Sequence, residues 1–250
     1  MLNPGEDCLV SACRKHKATR ALVISPHSDD AAFSCALTIS NLLTLGLPVM
    51  LLTVFSRSSY QTGGASRDPD IVSAIRKRED EAFVSLFPGG VSAEWLDYPD
   101  APLRGKSPRQ AFDARLMNAE DRELAGRLSR QLPDYAGPDD ILIAPSSIGS
   151  HIDHRISSLA ALRLRRTCAL FLYEDMPYAA SYDSDAIGGR QHSFAARFGA
   201  KTRPVAATGT REFKRQAALC YPSQLNPECL GSIESHRERL WELEIQVTAS

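Results

Sequence analysis

Two short segments carry a concentrated set of reactive side chains. "PHSDDAA" (26–32) places His27, Asp29 and Asp30 within four positions, and "IGSHIDHR" (148–155) adds His151, Asp153 and His154, so that three of the six histidines fall here. Two imidazoles and a carboxylate are the ligand set of a catalytic zinc, where three protein groups hold the ion and a fourth position stays open for water. A carboxylate left over can accept a proton from that water, and an imidazole left over can stabilise a developing oxyanion. If His27 and Asp30 flank a tight strand-to-helix turn, they converge on one ion while Asp29 points beside it. One of His151 and His154 completes the set, and the spacing does not say which. Each cluster also has an ordinary reading. "SDD" before a helix is a common N-cap, with negative charge favoured by the helix dipole, and "HIDH" alone reads as a polar loop. What favours an ion is that both clusters follow strands whose ends share one edge of the fold.

Those strands are read from runs rich in aliphatic residues at 20–25, 48–56, 93–98, 140–146 and 169–175, separated by segments of helical period near 31–45, 71–87, 109–132 and 155–167. Apolar runs alternating with helices indicate parallel strands covered on both faces. The expected architecture is a Rossmann-like, doubly wound α/β domain with a mostly parallel sheet and helices on both faces. In such a sheet ligands bind at the carboxyl ends of the strands, where the winding reverses. If the strands at 20–25 and 140–146 flank that point, their loops face each other across it. "SRSSYQTGGASRDPD" (56–70) is too long for an ordinary connection and reads as a mobile loop over a site. After residue 176 the pattern weakens to loops and one or two late strands, then helical stretches at 211–220 and 231–245. One domain over 1–250 is expected, with a core at about 18–224 and a helical C-terminal extension at about 225–250.

Lys plus Arg (29) and Asp plus Glu (30) nearly cancel, so there is no basic field to hold a nucleic acid. Gly46 and Pro48 interrupt the longest apolar stretch, no segment could span a bilayer, and no membrane anchor is evident. The N-terminus lacks a basic region followed by an apolar one, which predicts a cytoplasmic protein. The six cysteines form no C-x-x-C pair, so reduced thiols are expected rather than a zinc thiolate site or a disulfide framework. The sequence carries no indication of oligomeric state.

At these residues the chain resembles the LmbE-like, or PIG-L, family of zinc-dependent N-deacetylases. The resemblance rests on "SPHSDDAAFSC" (25–35) and "HIDH" (151–154), and extends to "AIRKREDEAF" (74–83), "FLYEDMPY" (171–178) and "KRQAALCYPSQ" (214–224). It implies that His27, Asp30 and His154 hold zinc and that Asp29 is the general base. It further implies that His151 polarises the acyl oxygen and protonates the leaving amine, that Asp153 orients His151, and that Arg76 contacts a polar or anionic part of the substrate. A salt bridge from Arg76 to Glu79 or Glu81 is the structural alternative. Departures from the family pattern are Ala31 after the two aspartates, "SCALT" in the following helix, and Gly149 where some members place a tyrosine near the oxyanion.

The expected reaction is hydrolysis of an N-acyl group, an N-acetyl group on an amino sugar first, with a soluble saccharide or a secondary-metabolite intermediate as the partner molecule. Esterase or phosphoesterase chemistry on the same ion is the enzymatic alternative, and a ligand-binding α/β module without metal is the non-enzymatic one. A dinucleotide site is disfavoured because the first βα turn lacks G-x-G-x-x-G and its two carboxylates would repel a pyrophosphate. Such ligand sets also accept Fe(II), Co(II) or Mn(II).

Overall fold

The computed structural model describes residues 7–64 and 66–245. Eight strands form one sheet: β1 (Asp7–Cys8), β2 (Arg20–Ser25), β3 (Val49–Thr53), β4 (Val91–Trp95), β5 (Asp140–Pro145), β6 (Ala169–Tyr173), β7 (Ala200–Ala206) and β8 (Arg239–Ile245), in the order β1-β7-β8-β6-β5-β2-β3-β4. Strands β2 to β6 run parallel, whereas β8 lies antiparallel between β6 and β7. The helices are α1 (Leu9–His16), α2 (Asp30–Thr44), α3 (Pro69–Val84), α4 (Pro108–Ala111), α5 (Ala119–Gln131), α6 (Ile152–Leu162), α7 (Ser184–Ala196), α8 (Arg211–Ala218) and α9 (Pro227–Ser235).

Ala21–Ile24 of β2 and Ile141–Ala144 of β5 are fully buried at the centre of the sheet, as apolar runs covered on both faces require. These two strands pair directly, Ala21 opposite Ile141. From β2 the chain winds toward β3; from β5 it winds the other way toward β6. Right-handed crossovers therefore put α2 and α6 on opposite faces and open a crevice at the carboxyl ends of β2 and β5. That is the switch point expected from the sequence.

Three expectations need correction. The stretch 231–245 is not one helix: α9 ends at Ser235, and β8 enters the middle of the sheet. The C-terminal segment thus completes the core instead of forming a helical extension, although residues 246–250 lie outside the described part. "Arg-Leu-Trp-Glu-Leu-Glu-Ile" tolerates a strand because Glu242 is met by Lys15, His16 and Arg203. The stretch 176–210 is more ordered than its composition suggests, containing α7, capped by Asp183, and β7. The stretch 109–132 divides because Asn118 caps α5 in a reciprocal pair with Asp121. Among the described residues Cys35, Cys168, Cys220 and Cys229 are free thiols, and no helix is long and apolar enough to cross a membrane.

Candidate active site

After β2 the chain turns through Pro26–Asp29 into α2. Ser25 locks the turn: its hydroxyl donates to the His27 carbonyl and accepts the Ala31 amide. The Asp30 carboxylate accepts the His27 amide at 2.8 Å. Asp29 occupies the N-cap position of α2, yet its side chain makes no capping bond. It faces Arg76 of α3, whose Nη2 donates to Oδ1 at 3.3 Å. The capping reading of "SDD" therefore fails, and a carboxylate is left beside the crevice.

The loop after β5 is forced into an unusual shape. Ser147, Gly149 and Ser150 all have positive φ, which is costly for the two serines. At Gly149 (φ +85°) a Cβ would stand 2.4 Å from the Tyr178 ring, so Tyr178 fills the space a side chain at 149 would need. The loop delivers His151 as the N-cap of α6, where Nδ1 accepts the Asp153 amide at 3.2 Å, and brings in His154 one turn later.

The two loops meet. Asp30 lies between two imidazoles, with Oδ2 3.2 Å from His27 Nδ1 and Oδ1 3.3 Å from His154 Nε2. The outer nitrogen of each ring rests on a buried carboxylate: His27 Nε2 on Asp153 at 3.0 Å and His154 Nδ1 on Asp175 at 2.6 Å. These carboxylates are themselves fixed. Asp153 accepts from the Ala101 amide and from Arg104 Nη2; Asp175 accepts from Ser146 Oγ and the Ile148 amide. Outer carboxylates that set a histidine's tautomer and ring orientation are the usual support of a metal ligand. His27, Asp30 and His154 thus present a donor set suited to a divalent transition metal. His151 stands close, and one ring nitrogen from each of His27, His151 and His154 lies within 4.8 Å of the other two. Asp153 rests on His27 and not on His151, which is held by the backbone amide.

The electrostatics point the same way. Burial opposes charge on His27, but Asp153 and Asp30 outweigh it and lift the ring to about 10. His154 is also raised, with Asp30 and Asp175 overcoming burial. The site favours positive charge at this spot, whether a proton or a cation supplies it. Despite burial, His154 and His27 hold Asp30 down at about 2. Burial lifts Asp29 to about 6, with Arg76 pulling down and Asp30 pushing up. Burial and the neighbouring His27 depress His151 to about 3.

Arg76, 4 % exposed, bonds to Asp29 and Ser58, so the contact to Glu79 or Glu81 on its own helix is not what holds it. Glu79 instead binds Ser223, while Asp80 accepts from Thr53, Trp95 and Tyr221. These bonds explain why "REDEAF" and "YPSQ" occur in one chain. A cavity of about 370 Å³ opens on Asp29, Asp30 and His151, with Tyr60, Phe112 and Tyr178 among its walls. Tyr60 belongs to the 56–70 loop, which therefore borders the site as expected. Sequence reading missed Asp175 and Arg104. Asp175 follows β6 at the carboxyl edge, where the switch-point rule could have found it. Arg104 comes from an irregular loop that gives no such signal.

Residues 22–164 match the family described as PIG-L, GlcNAc-PI de-N-acetylase. The chain belongs to this family. It is 31% identical over 229 residues to a 2'-N-acetylparomamine deacetylase of Streptomyces fradiae, covering 88% of this chain and 78% of that protein. It is 27% identical to a protein of the same name from Niallia circulans, covering 82% and 80%. A deacetylase of teicoplanin biosynthesis shares its fold, with a TM-score of 0.69 at 23% identity over 92% of this chain and 100% of that one. Family membership and these relatives make the protein an N-deacetylase, in a family whose enzymes depend on a metal.

Proposed function

We propose that the chain is a zinc-dependent hydrolase that removes an N-acetyl group from an amino sugar, carried by a soluble saccharide or an amino-sugar-containing metabolite. The observation that carries this reading is the pair of imidazoles braced by Asp153 and Asp175, facing Asp30, with Asp29 alongside and free of capping duty. His27, Asp30 and His154 would hold the ion. A divalent cation there supplies Lewis acidity, making a water more acidic and polarising the acyl oxygen.

The chain's own residues do the rest. Asp29, poised near neutrality, removes a proton from the attacking water. Arg76 fixes its carboxylate and limits the rise in its pKa. His151 accepts a backbone N–H at Nδ1, so its proton sits on Nε2, ready to donate to the acyl oxygen as negative charge builds there. Burial beside His27 keeps His151 neutral, so the proton for the departing amine comes back from Asp29. This division of labour shifts the acid role away from His151. The relatives' names support an amino-sugar substrate, and the aromatic walls with a few polar groups such as Asp100 and Gln224 suit a sugar ring.

The test is a parallel assay of an N-acetyl amino sugar, an acetyl ester and a phosphodiester, each with and without chelator. Amine release from the amide alone, abolished by chelation and restored by zinc, is the expected result. Preferential cleavage of either ester would replace the proposal with the corresponding hydrolase.

A further inference from the structure

The Ser146–Ser150 loop also borders a second cavity, about 490 Å³, whose lining shares no residue with the catalytic one. Arg155, Arg190 and Arg197 line it, and among the described lining residues there is no carboxylate. Two of these guanidinium groups are positioned by aromatic faces, Arg155 5.0 Å over Phe194 and Arg190 4.2 Å over Tyr182. Stacking fixes a guanidinium plane while leaving its N–H edge free to donate. None of the three side chains pairs with a carboxylate among the described residues.

Two buried polar groups complete the lining. Ser147, 5 % exposed and held at φ +63°, has a hydroxyl without a hydrogen-bond partner. Gln191, 2 % exposed, has an unpartnered Oε1. A buried polar group without a partner costs stability, and so does a cluster of like charges; an anion that accepts from the Ser147 hydroxyl relieves both costs there, whereas Gln191 Oε1, an acceptor, is met only by a hydroxyl carried on the rest of the ligand. Gly189 also lines the cavity, and a Cβ there would meet nothing within 4 Å.

We propose that this cavity is a binding site for a phosphate-bearing anion, a phosphomonoester or a diphosphate. Guanidinium forks match phosphate oxygens in pairs. Three separate guanidinium groups with a hydroxyl suit an anion of several oxygens and about two or more negative charges, which a monocarboxylate cannot match. None of its lining residues lines the catalytic cavity, although the two share the Ser146–Ser150 loop, in which Ser146 and Ile148 also hold Asp175.

The experiment is calorimetric titration of the metal-loaded full chain with inorganic phosphate, pyrophosphate and glucose 6-phosphate, with acetate as control. Comparison proteins are the Arg190→Ala/Arg197→Ala double variant and Gly189→Glu. The latter places a carboxylate in open space on a helix and removes no packing. Deacetylation rates in phosphate-free buffer, unchanged in both variants, show that they fold. The wild type should bind at least one of the phosphates saturably, acetate should not bind, and both variants should weaken the interaction about tenfold or more. Phosphate and pyrophosphate also bind metal ions, and any such uptake persists in the variants. Stronger binding of glucose 6-phosphate than of inorganic phosphate supports the site and identifies a phosphomonoester as the ligand. Absence of saturable binding up to about 10 mM, or equal affinity in wild type and both variants, overturns the proposal.

Discussion

Asp175→Asn tests whether the outer carboxylate sets the metal affinity. In the wild type all three partners of Asp175 are donors: His154 Nδ1 at 2.6 Å, Ser146 Oγ at 2.8 Å and the Ile148 amide at 2.9 Å. Asparagine has nearly the same shape but must turn an NH2 group toward at least one of them, leaving a buried donor unpaired at a cost of about 1–3 kcal/mol. If that donor is His154, the ring loses its fixed tautomer and the electron density that makes Nε2 a good ligand. Removing such an outer partner weakens metal binding about 10- to 100-fold, or about 1.4–2.8 kcal/mol. The assay is titration of the metal-free variant with zinc, followed by competition with a chromophoric chelator and by recovery of deacetylase activity. The variant should need correspondingly more zinc and recover most of its turnover when saturated. Wild-type zinc affinity in a folded Asp175→Asn protein refutes the reasoning.

Other expectations follow from the same geometry. Asp29→Asn should retain zinc but lose about 10²- to 10⁴-fold in turnover, measured by metal content and amine release together. Because Asp29 acts when ionised and burial lifts it to about 6, kcat/KM should rise with pH through a midpoint at or below that value, since a bound cation favours the ionised form; the variant should lack this limb. Gly149→Ala should lose about 1–3 kcal/mol from positive φ and the collision with Tyr178, with activity falling further than thermal stability because the loop carries His151. Glu242 is pressed upward by burial, yet His16, Lys15 and Arg203 hold it down at about 2, below its ordinary 4.5. A depressed carboxylate stabilises the fold above its unfolded pKa, so this contribution is full at neutral pH and is lost as pH falls from about 4.5 to 2. Allowing for the half-exposed Lys15, Glu242→Gln should cost about 1–2 kcal/mol at pH 7 and little at pH 2, read from melting temperatures at both.

The part of the site that could be read from the sequence is the part built by local rules. The apolar runs of β2 and β5 fixed the sheet centre, and the carboxyl-edge rule then required "PHSDD" and "HIDH" to face each other. Spacing could not choose between His151 and His154, because the choice is made by a third strand: Asp175, just after β6, holds His154, while the Asp153 amide holds His151. The partner of Asp153 was misjudged for a similar reason, since His27 reaches it from 126 positions away. β8 was hidden because its charged residues look helical until Lys15, His16 and Arg203 arrive from other elements to neutralise Glu242. α7 was hidden by Gly188 and Gly189. The first of these faces Trp241, 3.5 Å from where a Cβ would stand, and the second opens the arginine-lined cavity. Long-range polar pairing, invisible to periodicity, accounts for each of these failures except that of α7.

The most direct test of the central claim is an anomalous-difference map at the zinc absorption edge from crystals of the zinc-loaded protein. A peak is expected bonded to nitrogens of His27 and His154 and to a carboxylate oxygen of Asp30, at about 2.0–2.2 Å, with Asp29 and His151 beside it and unbound. A peak on other residues, or none between His27 and His154, contradicts it.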